Sequence, residues 1–135
     1  MESLEHAAVG TVVSAFALAL LRPVASPLRH VGLFVYGVAL SVLVDLDHFL
    51  IARARTGDWS HLRAVLSDPV NGIYDQEWVF ADMEGMARQR LASHLILGAV
   101  LVVGLRRRSP LLAAYTGVVL GAHVVCDLLR DTGRA

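Results

Sequence analysis

His6, Asp45, Asp47, His48, His94, His123 and Asp127 are the residues of this chain that could do chemistry. They include four of the six histidines and three of the twelve carboxylates. His123 and Asp127 stand at i, i+4 and share one helix face. Asp45 and His48 stand at i, i+3 and share another. Asp47 falls about 200° from Asp45 on an ideal helix, so it either serves a second ion or turns elsewhere after local unwinding. Imidazole and carboxylate together suit zinc first, with manganese or iron(II) as alternatives, and disfavour thiolate-loving metals. Seven donors exceed one tetrahedral zinc, which points to one ion plus a base, or to two ions. His6, Asp45, Asp47, His48, His94, His123 and Asp127 are thus expected as metal ligands, with Asp47 doubling as the catalytic base. Arg90, one turn before His94, is expected to clamp a substrate anion.

Four uncharged runs must position these groups: Ala7–Leu21, Val31–Val44, Leu91–Leu105 and Ser109–Cys126. A spanning helix needs ~20 mainly apolar residues, and each run reaches that range only with its polar flanks. The expected helices are 4–21, 31–52, 90–105 and 110–129, joined by a long surface loop over 53–89. The chemistry-bearing residues therefore lie on the helices themselves. Such groups are costly at membrane depth and read as a functional site. Glycines and alanines within the runs let helices approach closely. A soluble bundle would show a polar stripe on each helix; Val12–Leu21 and Leu95–Leu105 show none. The fold class predicted is all-α, an integral-membrane four-helix bundle in one domain, 1–135.

Alternating topology gathers the site. With face X holding the N-terminus, helices one and three leave X and helices two and four return to it. All seven residues then fall on X. Asp45 and His123 precede Arg53 and Arg130 by seven or eight residues, roughly 10–12 Å of helix, and His94 follows Arg90 by four, roughly 6 Å. All twelve carboxylates also fall on X. The two short loops on face Y carry Arg22, Arg29, Arg106, Arg107 and Arg108 and no acid. The positive-inside rule makes Y cytoplasmic, so the site is expected to open on the extracytoplasmic side of the cell membrane.

Composition agrees. The chain has 135 residues, 56% hydrophobic and 18% charged, against ~45–50% apolar in soluble domains. All twelve basic residues are arginine, and the net charge is zero, which argues against a nucleic-acid partner. The acidic start, Glu2 and Glu5, disfavours a cleaved signal peptide, so the first segment reads as a retained helix. Cys126 is the one cysteine; its apolar run suggests an inert buried thiol. His30 and His61 read as solvated, and Trp59, Tyr74 and Trp78 fit a membrane-surface segment.

These residues resemble the YdjM-like family of LexA-regulated, membrane-bound metal-dependent hydrolases. That family's pattern has an early Gly-His, a Pro-Asp-x-Asp-His, a His-Arg-Gly-x-Thr-His-Ser and a late His-x-x-x-Asp. Here Glu5-His6, Val44-Asp45-Leu46-Asp47-His48, Gln89-Arg90-Leu91-Ala92-Ser93-His94-Leu95 and His123-Val124-Val125-Cys126-Asp127 are similar to those elements in order and spacing. Val44 stands for the proline, Gln89 for the first histidine of the third element, Leu91 for its glycine, Ser93 for threonine and Leu95 for the last hydroxyl residue. The resemblance implies a hydrolase without implying a substrate.

Three functions are open at this point. The first is an integral-membrane metal-dependent hydrolase acting on a phosphoester or lipid-derived substrate, because the site lies at interfacial depth. Its partners are membrane lipid and a small-molecule or lipid substrate; assembly with further copies of the chain is left open. The second is a non-catalytic membrane metal-binding or transport protein. Transport needs polar groups continuing towards Y, where Thr11, Ser14, Tyr36, Ser41, Tyr115 and Thr116 are all that is offered. The third is a bis-histidine haem bundle, which the carboxylates disfavour.

Overall fold

The computed structural model describes residues 3–21, 26–74, 76–83 and 85–133. Among these it is all-helical, with no strand. The elements in order are α1 (Ser3–Leu21), α2 (Pro27–Leu43), a single 3₁₀ turn (Val44–Leu46), α3 (Asp47–Thr56), α4 (Ser60–Ser67), α5 (Pro69–Tyr74), α6 (Gln76–Val79), α7 (Ala87–Arg106) and α8 (Pro110–Gly133).

Local chemistry sets the boundaries. Ser26 caps α2 by accepting from the Arg29 N–H at 3.4 Å, and Pro27 occupies the first turn, where its missing N–H costs nothing. The 3₁₀ turn keeps right-handed helical backbone angles, so α2 and α3 form one 30-residue stretch, Pro27–Thr56. That stretch stops at Gly57, whose φ of 82° closes the helix with an N–H bond to the Arg53 carbonyl. Left-handed backbone of this kind favours glycine.

Three helices are long and apolar enough to cross a membrane: Pro27–Thr56, Ala87–Arg106 and Pro110–Gly133. The apolar part of α1, Leu4–Leu20, is shorter. The stretch expected to run from 31 to 52 begins four residues earlier and ends four later. The segment 53–89, expected as a surface loop, holds the last turn of α3, the three short helices α4 to α6 and the start of α7.

Helix α8 packs against α1, α2 and α7, while α3 packs against α7. The helices turn apolar side chains outward and bury polar ones beside the apolar core. Val12, Phe16, Leu20, Val35, Val100 and Val103 face outward, each more than 60% exposed or at that value, while Ser14, Ser41 and Thr116 are buried. Lipid is as apolar as leucine, so close packing and internal hydrogen bonds hold such helices together. Tyr36 and Thr116 hydroxyls pair at 2.9 Å, and the Tyr115 hydroxyl donates to the Leu33 carbonyl at 2.9 Å.

Two glycines permit the approach of α1, α2 and α8. A Cβ on Gly10 would lie 2.0 Å from Ser41 Oγ, and one on Gly37 would lie 2.3 Å from Ser14 Oγ and 2.4 Å from the Tyr115 hydroxyl oxygen. Gly10→Val is expected to cost about 1–3 kcal/mol by overpacking. Ser41 Oγ donates to the His6 carbonyl at 3.0 Å, so the strain is transmitted to the first histidine. Unfolding in a graded SDS series checks this: an unchanged midpoint contradicts the packing described.

Candidate metal centre

All seven residues singled out by type and spacing are buried: His6, Asp45, Asp47, His48, His94, His123 and Asp127 are each 6% exposed or less. Solvation at a helix end therefore does not account for Asp45, Asp47 and His48. The residues come from α1, the α2–α3 stretch, α7 and α8, four separate elements meeting in one place.

Asp45 is the hub. His6 Nε2 lies 3.3 Å from its Oδ2, while His94, His123 and His48 place Nε2 at 3.1, 3.4 and 3.5 Å from its Oδ1. Asp127 faces two of these histidines, 3.4 Å from His6 Nε2 and 3.3 Å from His123 Nε2. The His6 and His123 rings stack with centroids 3.9 Å apart. That spacing leaves no room for a macrocycle between them, which removes the bis-histidine haem arrangement for this pair.

The backbone aims the rings. His94 donates Nδ1–H to the Arg90 carbonyl at 2.7 Å, and His123 donates Nδ1–H to the Ser41 carbonyl at 2.9 Å. Those bonds place the Nε2 lone pairs inward, as orienting bonds do for metal-ligating imidazoles. Lone pairs then face carboxylate oxygens, a contact that repels unless a cation or proton sits between. His6 Nε2, His48 Nε2, His123 Nε2, Asp45 Oδ2 and Asp47 Oδ1 are buried with no hydrogen-bond partner. Buried polar atoms left so are costly. Two ligands held ~2.0–2.2 Å from a tetrahedral ion sit roughly 3.4 Å apart, close to the spacings found here.

Two overlapping donor groups result. His6, Asp45, His123 and Asp127 form one, Asp45, His48 and His94 the other, each with ligand atoms within 4.8 Å of one another. Asp47 borders the second group, its Oδ1 3.6 Å from His48 Nε2 and 3.7 Å from His94 Nε2. Its Oδ2 accepts from Ser93 Oγ at 2.5 Å. The 3₁₀ turn over Val44–Leu46 resolves the 200° separation anticipated between the two aspartates: tightening the helix there turns Asp47 towards α7 and leaves Asp45 and His48 near one line.

Arg90 is at the rim. Its Nη2 lies 3.5 Å from Asp131 Oδ1, so the guanidinium expected to clamp an anion already has a carboxylate neighbour. Arg130 of α8 pairs with Glu5 of α1. Gln89 is exposed and stands outside the buried set.

Sequence inspection missed three contributors. His61, read as solvated, is 6% exposed. Its Nε2 hydrogen-bonds Asp82 Oδ1 at 2.9 Å, and that bond holds the exposed Asp82 carboxyl below its ordinary range. Phe80 stacks on His61 at 5.5 Å and meets the ring of His48 edge-on at 5.9 Å. Ser93 orients Asp47. The i, i+4 and i, i+3 rules reach only neighbours on one helix; all three contacts join separate elements. His30 lies in the first turn of α2, its Nδ1 2.9 Å from the Ser26 carbonyl. Cys126, expected as fully buried, is half-buried with a free thiol.

Fold and site together define an all-helical protein with helices suited to a membrane and buried histidine–aspartate groups that could hold a metal ion. Comparison of the chain with family models, with curated proteins and with solved structures finds no match.

Proposed function

We propose that this chain is an integral-membrane metal-dependent hydrolase, similar to the YdjM-like family, acting on a phosphoester or lipid-derived substrate. The observation that carries the proposal is the convergence of four Nε2 atoms from four elements on the Asp45 carboxylate, at 3.1–3.5 Å. In this proposal α1, the α2–α3 stretch, α7 and α8 all cross the bilayer as a four-helix bundle, and the site opens on the extracytoplasmic side.

His6, Asp45, His123 and Asp127 would hold one ion, and Asp45, His48 and His94, with Asp47, a second; zinc suits the donors best. A divalent ion in such a site supplies a Lewis acid and an acidified water. Asp47 keeps one oxygen on Ser93 and turns the other towards His48 and His94, which suits a base that takes a proton from the attacking water. Arg90 would exchange Asp131 for the substrate's anionic group, a bidentate contact that a planar guanidinium makes well. Burial of the donors excludes bulk water and strengthens each charge–charge contact.

Transport finds less support. The hydroxyls of Tyr36, Tyr115 and Thr116 are engaged in hydrogen bonds between helices, and Ser41 is bonded to the His6 carbonyl beside the donor cluster. Leu18, Leu33, Tyr115 and Val119 close the packing beyond them as a buried cluster.

The deciding experiment is metal analysis of the purified protein, with cleavage of a chromogenic phosphodiester and of phospholipid. One to two ions per chain and metal-dependent cleavage are expected. Folded protein that takes up no zinc, manganese or iron overturns the proposal; stoichiometric metal with no turnover leaves a metal-binding protein. Ser93→Ala is expected to lower turnover about 10–100-fold, the usual loss when a supporting hydrogen bond to a metal-site carboxylate is removed, with metal content unchanged. Equal rates for Ser93→Ala and the parent would take Asp47 out of the chemistry.

A further inference from the structure

The segment between α3 and α7 has two different sides. Its inner side packs against α3 and the His48 end of the donor cluster. Val79, Met83, Met86 and His61 are buried, Met83 and Met86 pack on Ala52 of α3, and Phe80 touches the rings of His48 and Phe49, at 5.9 and 5.4 Å. Arg53 stacks over Trp59 at 4.4 Å, and Arg55 donates to the Gly85 carbonyl at 3.4 Å. These ties fix the segment against the end of α3.

Its outer side is apolar. Leu66 on α4 is 71% exposed, and Val70 and Tyr74, one turn apart on α5, are 64% and 57% exposed. Trp78 on α6 is 48% exposed. Isolated exposed apolar residues are ordinary on soluble surfaces. Here they are joined to the end of a helix stretch long enough to span a bilayer, on which Leu46 and Leu50 are 54% and 60% exposed. Helix α5 also packs against α1 and α4 against α3, so the segment is tethered to two of the long helices at the end that carries the metal donors. Charged Arg55, Asp58 and Arg63 are exposed nearby, a mixture of apolar, aromatic and charged groups that suits the boundary between acyl chains and headgroups.

We propose that α4 to α6 form a bilayer-seated cover over the metal centre, with Leu66, Val70, Tyr74 and Trp78 immersed in the phospholipid interface while Phe80, backed by His61, closes on His48. The partner is the lipid surface itself. This rests on the membrane part of the function proposed above and not on catalysis.

The test is nitroxide labelling of single cysteines in a Cys126→Ser background, in vesicles of phosphatidylcholine and phosphatidylglycerol. Labels at Leu66→Cys and Val70→Cys should collide with oxygen several-fold more than with a water-soluble nickel chelate. A label at Asp58→Cys should show the reverse, and one at Val100→Cys, on the lipid-facing side of α7, should report lipid. If Val100→Cys reports lipid while Leu66→Cys and Val70→Cys match Asp58→Cys, the cover is solvated and the inference is wrong, although the membrane reading stands. If all four sites report water, both fail. For variants that do not fold, Trp59→Phe leaves Trp78 as the lone tryptophan. Its emission should be blue-shifted and quenched by phospholipids brominated near the headgroup; quenching by aqueous iodide alone overturns the proposal.

Discussion

Asp45→Asn is expected to empty both donor groups at once. The substitution keeps the side chain's size, so packing around it survives, but it removes the one carboxylate shared by His6, His123, His94 and His48. Bound metal should fall from one or two ions per chain to near none in elemental analysis. Metal-dependent phosphoester cleavage should fall at least about 10³-fold, because losing the Lewis acid forfeits several kcal/mol of barrier lowering and each 1.36 kcal/mol is tenfold. His48→Ala makes the comparison sharp. It touches only the group of Asp45, His48 and His94, so the ion held by His6, Asp45, His123 and Asp127 should remain. Asp45→Asn protein retaining its full metal content would sink the shared-ligand geometry.

Removing metal from the unaltered protein should be nearly as visible. Three carboxylates, Asp45, Asp47 and Asp127, are buried within one cluster, and like charges so placed repel unless a cation or proton intervenes. An ion present at about a thousand times its dissociation constant stabilises the folded state by about 4 kcal/mol. For a chain of this size that corresponds to a drop on the order of 10 °C in the thermal midpoint on chelation. Adding zinc back should restore the midpoint, and Asp45→Asn should show no such response. An identical midpoint with and without chelator means that no ion contributes to the fold.

The apolar runs, their approximate ends and the residues at those ends were legible in the chain because hydropathy and the 3.6-residue period are local properties. Ser26-Pro27 and Gly57 mark helix ends by backbone chemistry alone. The α2–α3 stretch is longer than its apolar run at both ends: Pro27 to His30 have the composition of a connection, and Arg53 to Thr56 carry charge. The segment 53–89 looked like a loop because Gly57, Pro69 and Asn71-Gly72 break any long period; short helices between breakers leave no periodic signal. The burial of His61 leaves no local signal for the same reason. Its burial comes from Phe80 and Asp82, nineteen and twenty-one residues away, and no local pattern joins them.

The candidate donors could be named from residue type, spacing and alternating topology, since a carboxylate or imidazole at membrane depth is too costly to be incidental. Their division of labour could not. That Asp45 is shared, that Asp47 turns to Ser93, that Arg90 starts against Asp131 and that Phe80 closes on His48 all depend on how far each helix is rotated and how closely it approaches its neighbours. Those quantities are set by contacts between distant residues, such as Gly10 against Ser41 and Gly37 against Ser14 and Tyr115. A linear pattern carries no term for them; they exist only once the helices are packed.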